Sequence, residues 1–251
     1  MGLLSDHRVV ITGAGDIGRS LATTLVEQGA DVEVWDRDDA PLDDLGLTGR
    51  VVDVTDPSAV DAAAQAALGS GPLTGLVTTA GILTVAPVVD LDPADWRRVV
   101  DVNLTGTFLC CRAVTRRMLS EQSPVVGRSI VTISSIGGLR GEPEIAHYSA
   151  SKFGVIGLTQ SLARELGPAG IRVNSLCPGA VESRMNTELL ETYAADSGVE
   201  PTVVEQTVVD QTPLGRLATP EDVSGTVVYL LSELSLFVTG EAISVTGGLV
   251  F

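Results

Sequence analysis

The sequence alternates along its length between short apolar runs typical of β-strands and longer amphipathic segments typical of α-helices. We predict strands at residues 9–12, 30–36, 50–56, 75–81, 128–135, 171–179 and 242–245. We predict helices at residues 17–28, 57–69, 93–119, 148–166 and 220–231. This order favours parallel strands joined by right-handed crossovers, with helices on both faces of the sheet. The expected fold class is α/β, a doubly wound parallel sheet of about seven strands, formed by a single domain over residues 1–251.

A glycine-rich turn joins the first predicted strand to the first predicted helix. In VVITGAGDIGRSLA, residues 9–22, Gly13, Gly15 and Gly18 form the pattern G-x-G-x-x-G. Glycines in this pattern let backbone N–H groups approach a pyrophosphate at the helix N-terminus. Asp36 closes the second predicted strand 18 residues after Gly18, close to where an acidic residue hydrogen-bonds the ribose of NAD. The turn therefore predicts a dinucleotide site at the carboxyl edge of the sheet.

Tyr148 and Lys152 lie four residues apart in YSASK and share one face of a predicted helix. An ammonium near a phenol favours the phenolate and lowers the tyrosine pKa, which makes the pair a sensible acid/base unit. Lys152 is the only lysine in the chain, and the other 15 basic residues are arginines. Ser134 and Ser135 end the fifth predicted strand, where a hydroxyl would hydrogen-bond a substrate oxygen. The spacing alone also fits a surface pair on a helix.

Further motifs lie between and beyond these residues. They are DVTD (53–56), TTAG (78–81), DVNLTGTF (101–108), IVTISS (130–135), RVNSLCPG (172–179) and FVTGEAISVTGG (237–248). With them, the chain resembles the short-chain dehydrogenase/reductase family, a Rossmann-fold oxidoreductase family, across nearly its whole length. The resemblance implies a catalytic tetrad of Asn103, Ser135, Tyr148 and Lys152. Ser135 is preferred to Ser134 because the family places this serine 13 positions before the tyrosine.

The resemblance also implies a role for each member of the tetrad. Tyr148 would exchange a proton with the substrate oxygen, which Ser135 holds. Lys152 would bind the nicotinamide ribose and lower the Tyr148 pKa, and Asn103 would hold a water in the proton path.

The same resemblance implies which residues contact the cofactor, NAD. They are Gly13, Gly15, Asp16, Ile17, Gly18, Asp36, Asp53, Val54, Thr79, Ala80, Gly81, Tyr148, Lys152, Pro178, Gly179, Val181 and Ser183. The sequence departs from the family pattern in the glycine turn, where TGAGDIG is one residue short and Asp16 replaces the middle glycine. It also has Thr78-Thr79 where the family has Asn-Asn, Thr246 where VDGG is usual, and Ser183 where threonine is usual.

Charge and cysteine content limit the partners. The net charge of −16 repels phosphate backbones, so we expect no nucleic-acid partner, and it would also repel an acidic carrier protein. Cys110, Cys111 and Cys177 have no metal-ligand spacing, so we expect no metal site. We see no leader-like segment and no apolar stretch long enough to cross a bilayer, which favours a cytoplasmic protein without a membrane partner.

We expect an NAD(H)-dependent oxidoreductase that interconverts a secondary alcohol and a ketone by hydride transfer, with a small molecule as substrate. The substrate should lie between residues 138–147 and a lid at about residues 184–216. His147 either lines this pocket or, as we favour, is an exposed helix-start residue. The alternatives are a 3-oxoacyl-carrier-protein reductase and a catalytically silent NAD-sensing regulator. A serine hydrolase is disfavoured because Ser135 does not lie in G-x-S-x-G. The resemblance implies a homotetramer or homodimer in which helices 93–119 and 148–166 pair across a two-fold axis.

Overall fold

Seven parallel strands form one sheet in the computed structural model, which describes residues 2–39, 46–67, 69, 71–121 and 127–249. The strands are β1 (Arg8–Thr12), β2 (Asp31–Asp36), β3 (Thr48–Val51), β4 (Gly75–Thr78), β5 (Ser129–Ile133), β6 (Arg172–Pro178) and β7 (Ala242–Val245). Their order is β3-β2-β1-β4-β5-β6-β7, and each neighbouring pair is parallel. The predicted fold class is confirmed. All seven carboxyl ends lie at one edge, where ligands of doubly wound sheets bind.

Eight α-helices connect or follow the strands in the described residues. They are α1 (Asp16–Glu27), α2 (Pro57–Ala66), α3 (Pro93–Val100), α4 (Thr107–Ser120), α5 (Ala146–Leu166), α6 (Arg184–Ser197), α7 (Pro201–Gln211) and α8 (Pro220–Leu231). Helices α2, α3, α7 and α8 each begin with proline, whose missing N–H costs nothing at the first helical position.

The core consists of two layers, one on each face of the sheet. Alternate residues of a strand point to opposite faces, so Val9 and Ile11 of β1 pack in one layer and Val10 in the other. Helices α1 and α8 cover the first face, and α2, α4 and α5 cover the second. The layers hold the central strands rigidly and fix where their carboxyl ends meet.

Three predicted elements are wrong in detail. The single helix expected over residues 93–119 is divided by a π-helical segment, Asp101–Gly106. The third strand spans Thr48–Val51 and not residues 50–56, because Asp53 turns the chain by accepting hydrogen bonds from Thr55. The strand expected over 75–81 ends at Thr78.

None of the described helices combines the length and the apolar character needed to span a membrane.

Candidate active site

The glycine turn leaves the N-terminus of α1 open. Gly13 has a φ of +90°, and a Cβ there would lie 2.7 Å from the Ala80 nitrogen. A Cβ on Gly18 would collide with the Gly13 carbonyl, whereas one on Gly15 would meet no described atom within 4 Å. Gly15 precedes α1 without a side-chain hydrogen bond to the helix start. Free N–H groups and open space at a positive helix end fit the pyrophosphate of a dinucleotide.

Thr79 fastens the end of β4 to this turn. Its hydroxyl lies 2.7 Å from the Thr12 carbonyl oxygen and 3.1 Å from that of Gly13. The threonine that replaces the family's asparagine therefore acts as a brace of the turn.

Asp36 lies at the end of β2, directly beside the turn. Its Oδ2 accepts the Ala14 N–H at 2.6 Å, and its Oδ1 accepts the Asp38 N–H at 3.0 Å. The carboxylate is thus held beside the glycine turn, at the carboxyl edge of the sheet. Asp53 lies on the exposed loop after β3, and its hydrogen bonds with Thr55 lower the pKa of its carboxyl.

Val54, the next residue, is buried beneath this loop. A Cβ on Gly106 would lie 2.8 Å from Val54 Cγ2, so the loop packs closely on the π-helical segment.

The loop after β6 leads into α6. The Gly179 N–H donates to the Val245 carbonyl at 3.0 Å, and Val181 pairs with Ala218 in a short parallel bridge. Ser183 caps α6, because its hydroxyl oxygen accepts the Asn186 N–H at 3.3 Å. Pro178 ends β6 beside β5, so this loop starts at the same sheet edge as the glycine turn.

Tyr148, Lys152 and Ser135 meet beside the end of β5. The Lys152 Nζ donates to the Ile133 carbonyl at 3.0 Å and lies 5.6 Å from the centre of the Tyr148 ring. Ser135 is the serine beside Tyr148, since a Cβ on Gly137 would lie 3.6 Å from Ser135 Oγ and 3.5 Å from the Tyr148 ring, and its hydroxyl lowers the Tyr148 pKa. Ser134 instead donates to the Lys152 carbonyl at 2.9 Å, with 3% of its surface exposed. The fold therefore gives two adjacent serines different surroundings, with Ser134 buried against Lys152 and Ser135 less buried beside Tyr148.

Burial is the main cause of the shifted pKa values of Tyr148 and Lys152. It raises the pKa of Tyr148, which the Ser135 hydrogen bond opposes, and it lowers the pKa of Lys152 to about 8. The lowering of the Tyr148 pKa by Lys152, which the family resemblance implies, stays a prediction, because the causes acting on this phenol in the cofactor-free protein are burial and Ser135.

Asn103 is fully buried in the π-helical segment. Its Oδ1 accepts the Ile82 N–H at 2.8 Å, and its Nδ2 donates to the Ile82 carbonyl at 2.9 Å and to Ser151 Oγ at 3.1 Å. These bonds fix the chain after Gly81, where a Cβ would lie 3.5 Å from Lys152 Nζ. All of the hydrogen bonds that the Asn103 side chain makes go to groups of the protein. They position Gly81 and Ser151, which are neighbours of Lys152 in space or in sequence.

Known proteins agree with this geometry. A family model described as enoyl-(acyl carrier protein) reductase matches residues 12–250. The 3-alpha-(or 20-beta)-hydroxysteroid dehydrogenase of Mycobacterium bovis is 40% identical over 256 residues, which cover 99% of this chain and 90% of that protein. The chain belongs to the short-chain dehydrogenase/reductase family.

Solved structures of the family support the same assignment. NAD+-bound xylitol dehydrogenase is 30% identical with a TM-score of 0.89, covering 98% of this chain and 99% of that one. An actinorhodin polyketide ketoreductase with NADPH is 32% identical with a TM-score of 0.91, covering 99% of each chain. The protein is thus an oxidoreductase whose Rossmann fold binds a nicotinamide cofactor. The two similar structures contain different dinucleotides.

An apolar wall beside Tyr148 was not identified from the sequence. Val99, Ile145 and Tyr148 form a small cluster against which four half-buried side chains pack: Ile82, Leu83, Val85 and Leu189. Leu189 comes from α6, so the fold places α6 against the cluster that contains the tyrosine. Apolar periodicity predicts strands and helices, but it carries no information on contacts between segments that are far apart in the sequence.

The expectation for His147 is wrong. Its side chain is fully buried, and its Nε2 lies 2.6 Å from Thr84 Oγ1. The loop that follows β4 covers this first turn of α5, and burial lowers the His147 pKa.

No cluster of three or more metal-ligating side chains occurs in the described parts of the chain.

Proposed function

We propose that the protein is an NAD(H)-dependent dehydrogenase that interconverts a secondary alcohol and a ketone. The observation that supports this most directly is the convergence of Tyr148, Ser135 and Lys152 at the carboxyl edge of the sheet, next to an open helix N-terminus. A bound nicotinamide would supply the hydride acceptor or donor.

The side chains then divide the remaining work. Tyr148 takes the hydroxyl proton in oxidation and returns it in reduction, and Ser135 holds the substrate oxygen. Lys152 binds the ribose and supports the phenolate, while Asn103 positions the backbone at Ile82. Oxidation needs the phenolate and reduction needs the phenol. Because burial raises the Tyr148 pKa, alkaline pH should favour oxidation and neutral pH reduction.

Ser134 provides a matched control for Ser135. In a screen of alcohols and ketones of graded size with NAD(H), Ser135→Ala should lower kcat by about 10²- to 10³-fold, the range for losing one hydrogen bond to the reacting oxygen. Ser134→Ala removes a buried bond to the Lys152 carbonyl and should lower the unfolding free energy by about 1 kcal/mol, with a far smaller effect on kcat. Equal kcat losses in the two variants would contradict the assignment of Ser135.

Cofactor choice follows from Asp36. Its carboxylate can accept both ribose hydroxyls of NAD and repels the 2′-phosphate of NADP. A difference of about 2–3 kcal/mol corresponds to a preference for NAD of roughly 30- to 150-fold in kcat/KM. Asp36→Asn should narrow this ratio, whereas Asp38→Asn, which removes a neighbouring carboxylate, should not. Equal kcat/KM values for the two cofactors in the wild type would exclude the proposal.

The wall beside Tyr148 favours a substrate with an apolar body. Ile145 clusters with the tyrosine and Val99, and Ile82, Leu83, Val85 and Leu189 pack against that cluster. Helices α6 and α7 form the lid that we place at residues 184–216. A steroid-like or other apolar ketone fits this wall, in keeping with the hydroxysteroid dehydrogenase named above.

Two other functions make different predictions. A 3-oxoacyl-carrier-protein reductase would have to attract an acidic carrier, and the net charge of −16 opposes this. A silent NAD-sensing regulator would bind NAD without turning over any carbonyl compound, which the same screen would detect.

We further propose a homotetramer formed through two apolar faces. On α3, α4 and α5, Trp96, Phe108 and Phe153 are 41%, 41% and 46% exposed, and after α8 Phe237 is fully exposed. Light scattering should give a tetramer, which Phe153→Asp or Phe237→Asp reduces to dimers and the double variant to monomers. A wild-type monomer at micromolar concentration would exclude this assembly.

We place the enzyme in the cytoplasm, in keeping with three cysteines that are free and buried.

A further inference from the structure

Asp16 connects two parts of the chain that lie 168 residues apart. It is the first residue of α1, and its Oδ2 accepts the backbone N–H of Arg184 at 2.8 Å. Arg184 is the first residue of α6. The side chain of Arg184 extends into solvent beside Glu188, with 3.6 Å between Nε and Oε1. The contact to Asp16 therefore uses only the backbone of Arg184.

The carboxylate suits this position electrostatically. It lies at the N-termini of two helices, where unpaired N–H groups make both ends positive. The Ser183 hydroxyl satisfies the N–H of Asn186 in the first turn of α6, and Asp16 satisfies that of Arg184. Two side chains thus accept backbone N–H groups at the start of α6. Ser183 belongs to the helix start itself, and Asp16 belongs to the glycine turn.

The rest of α6 rests against the substrate side of the site. Leu189 packs on the cluster that contains Tyr148, and the Tyr193 hydroxyl donates to the Pro143 carbonyl at 3.3 Å. A shift at the start of α6 would move Leu189 relative to Tyr148, because one helix carries both Arg184 and Leu189.

We propose that Asp16 is a positioning residue that fastens the first lid helix to the cofactor turn and so sets the lid over Tyr148. The role of α6 as a lid rests on the function proposed above. Asp16 stands where the family has its middle glycine. The glycine turn of this protein therefore binds α6 in addition to its proposed contact with the pyrophosphate.

One substitution removes the backbone N–H that Arg184 donates to Asp16. Arg184→Pro removes the N–H while keeping a residue that is favourable at the first helical position, as four other helices of this chain already have. Ser183 has a ψ of 157°, which suits a residue that precedes proline. Arg184→Ala is the matched control, since it removes the side chain and keeps the N–H. Asp16→Ala removes the acceptor, and Asp16→Asn keeps a weaker one.

Hydrogen exchange of the cofactor-free protein, followed by mass spectrometry, tests the contact without any turnover. In Asp16→Ala and in Arg184→Pro, amides 187–190 should exchange about 2- to 10-fold faster, the effect of losing one hydrogen bond. Arg184→Ala and Glu27→Gln, which removes a carboxylate from the far end of α1, should match the wild type. The Asp16→Ala/Arg184→Pro double variant should exchange no faster than either single variant. Additive effects, or equal exchange in Arg184→Pro and Arg184→Ala, would overturn the proposal.

Binding and kinetics then separate positioning from cofactor binding. Calorimetric titration should give Asp16→Asn an affinity for NAD no weaker than that of the wild type, since a negative charge beside the pyrophosphate is lost. With a substrate from the screen, Asp16→Ala should raise KM with kcat nearly unchanged, and Asp16→Asn should recover part of the loss. Weaker NAD binding, with unchanged hydrogen exchange of the α6 amides, would mean that Asp16 is a cofactor ligand. That result would contradict the positioning role proposed for Asp16. If the wild type binds no NAD, the proposed function fails, and the exchange comparison still decides the contact.

Discussion

Lys152 combines a positive charge with nearly complete burial, since only 4% of its surface is exposed. Burial lowers its pKa to about 8, whereas lysine in water titrates near 10.4. Because the chain has one lysine, protein made with 13C-lysine should give a single Cε resonance, which titrates near pH 8 and is in the charged form below it. Lys152→Met should abolish the resonance, which identifies it. A midpoint near 10.4 would mean that water reaches the ammonium.

Residues of the site differ in how far the sequence predicted them. Tyr148 and Lys152 were placed on one helix face because that relation is local and depends only on the helical period. Ser135 was separated from Ser134 only through the family resemblance. The expectation for His147 is wrong, because the ring is buried and its hydrogen-bond partner Thr84 lies 63 positions earlier in the chain. The catalytic roles themselves stay predictions.

At the scale of the element, the Asn103 amide ties the π-helical segment Asp101–Gly106 to Ile82 and Ser151. Asn103→Ala would leave the Ile82 N–H, the Ile82 carbonyl and Ser151 without that partner inside the protein. We expect the unfolding free energy to fall by about 2–4 kcal/mol, since each buried unpaired group costs about 1–3 kcal/mol. Turnover should fall as well, because Ile82 follows Gly81, which adjoins Lys152. Urea unfolding and kcat measure the two effects.

Asn174 supplies the control for this experiment. It is also fully buried and also bridges two backbone groups, donating to the Val238 carbonyl at 2.9 Å and accepting the Glu241 N–H at 3.2 Å. Asn174→Ala should lose comparable stability and keep the wild-type kcat. A similar fall of kcat in both variants would mean that Asn103 acts through stability alone.

Apolar periodicity predicts the strands and six of the eight described α-helices, but it misses the two lid helices and the irregular π-helical segment. The π-helical segment has no sequence period of its own within a run of helix-forming residues, so one helix was predicted where three segments occur. The sequence predicts a lid over residues 184–216 but not that helices α6 and α7 form it. The bond between Asp16 and Arg184 joins elements that only the fold brings together.

For the whole molecule, both histidines of the chain make stability depend on pH. Burial lowers the pKa of His7 and of His147 below the usual 6.5, against the opposing charges of Asp6, Glu233 and Asp95. The unfolded chain therefore takes up protons that the folded chain refuses, and stability falls as the pH drops through 6.5. The slope should not exceed about 1.4 kcal/mol per pH unit for each histidine.

Urea unfolding between pH 7 and pH 5 would measure this slope. Carboxyls with lowered pKa values, such as that of Asp53, lose their contribution only below about pH 4, outside this window. The His7→Gln/His147→Gln double variant should flatten the dependence. Stability that is constant or rising towards pH 5 in the wild type would contradict the burial of both rings.

The burial of the single lysine within α5 has a practical consequence. An endoprotease that cleaves after lysine has only the bond between Lys152 and Phe153 to attack, and in the native protein that bond lies inside a helix. Each cut molecule therefore records one opening of α5 and gives two fragments, residues 1–152 and 153–251. The ratio of the digestion rates with and without a ligand would measure how far that ligand lowers the frequency of α5 opening. The measurement needs no label and no mutation.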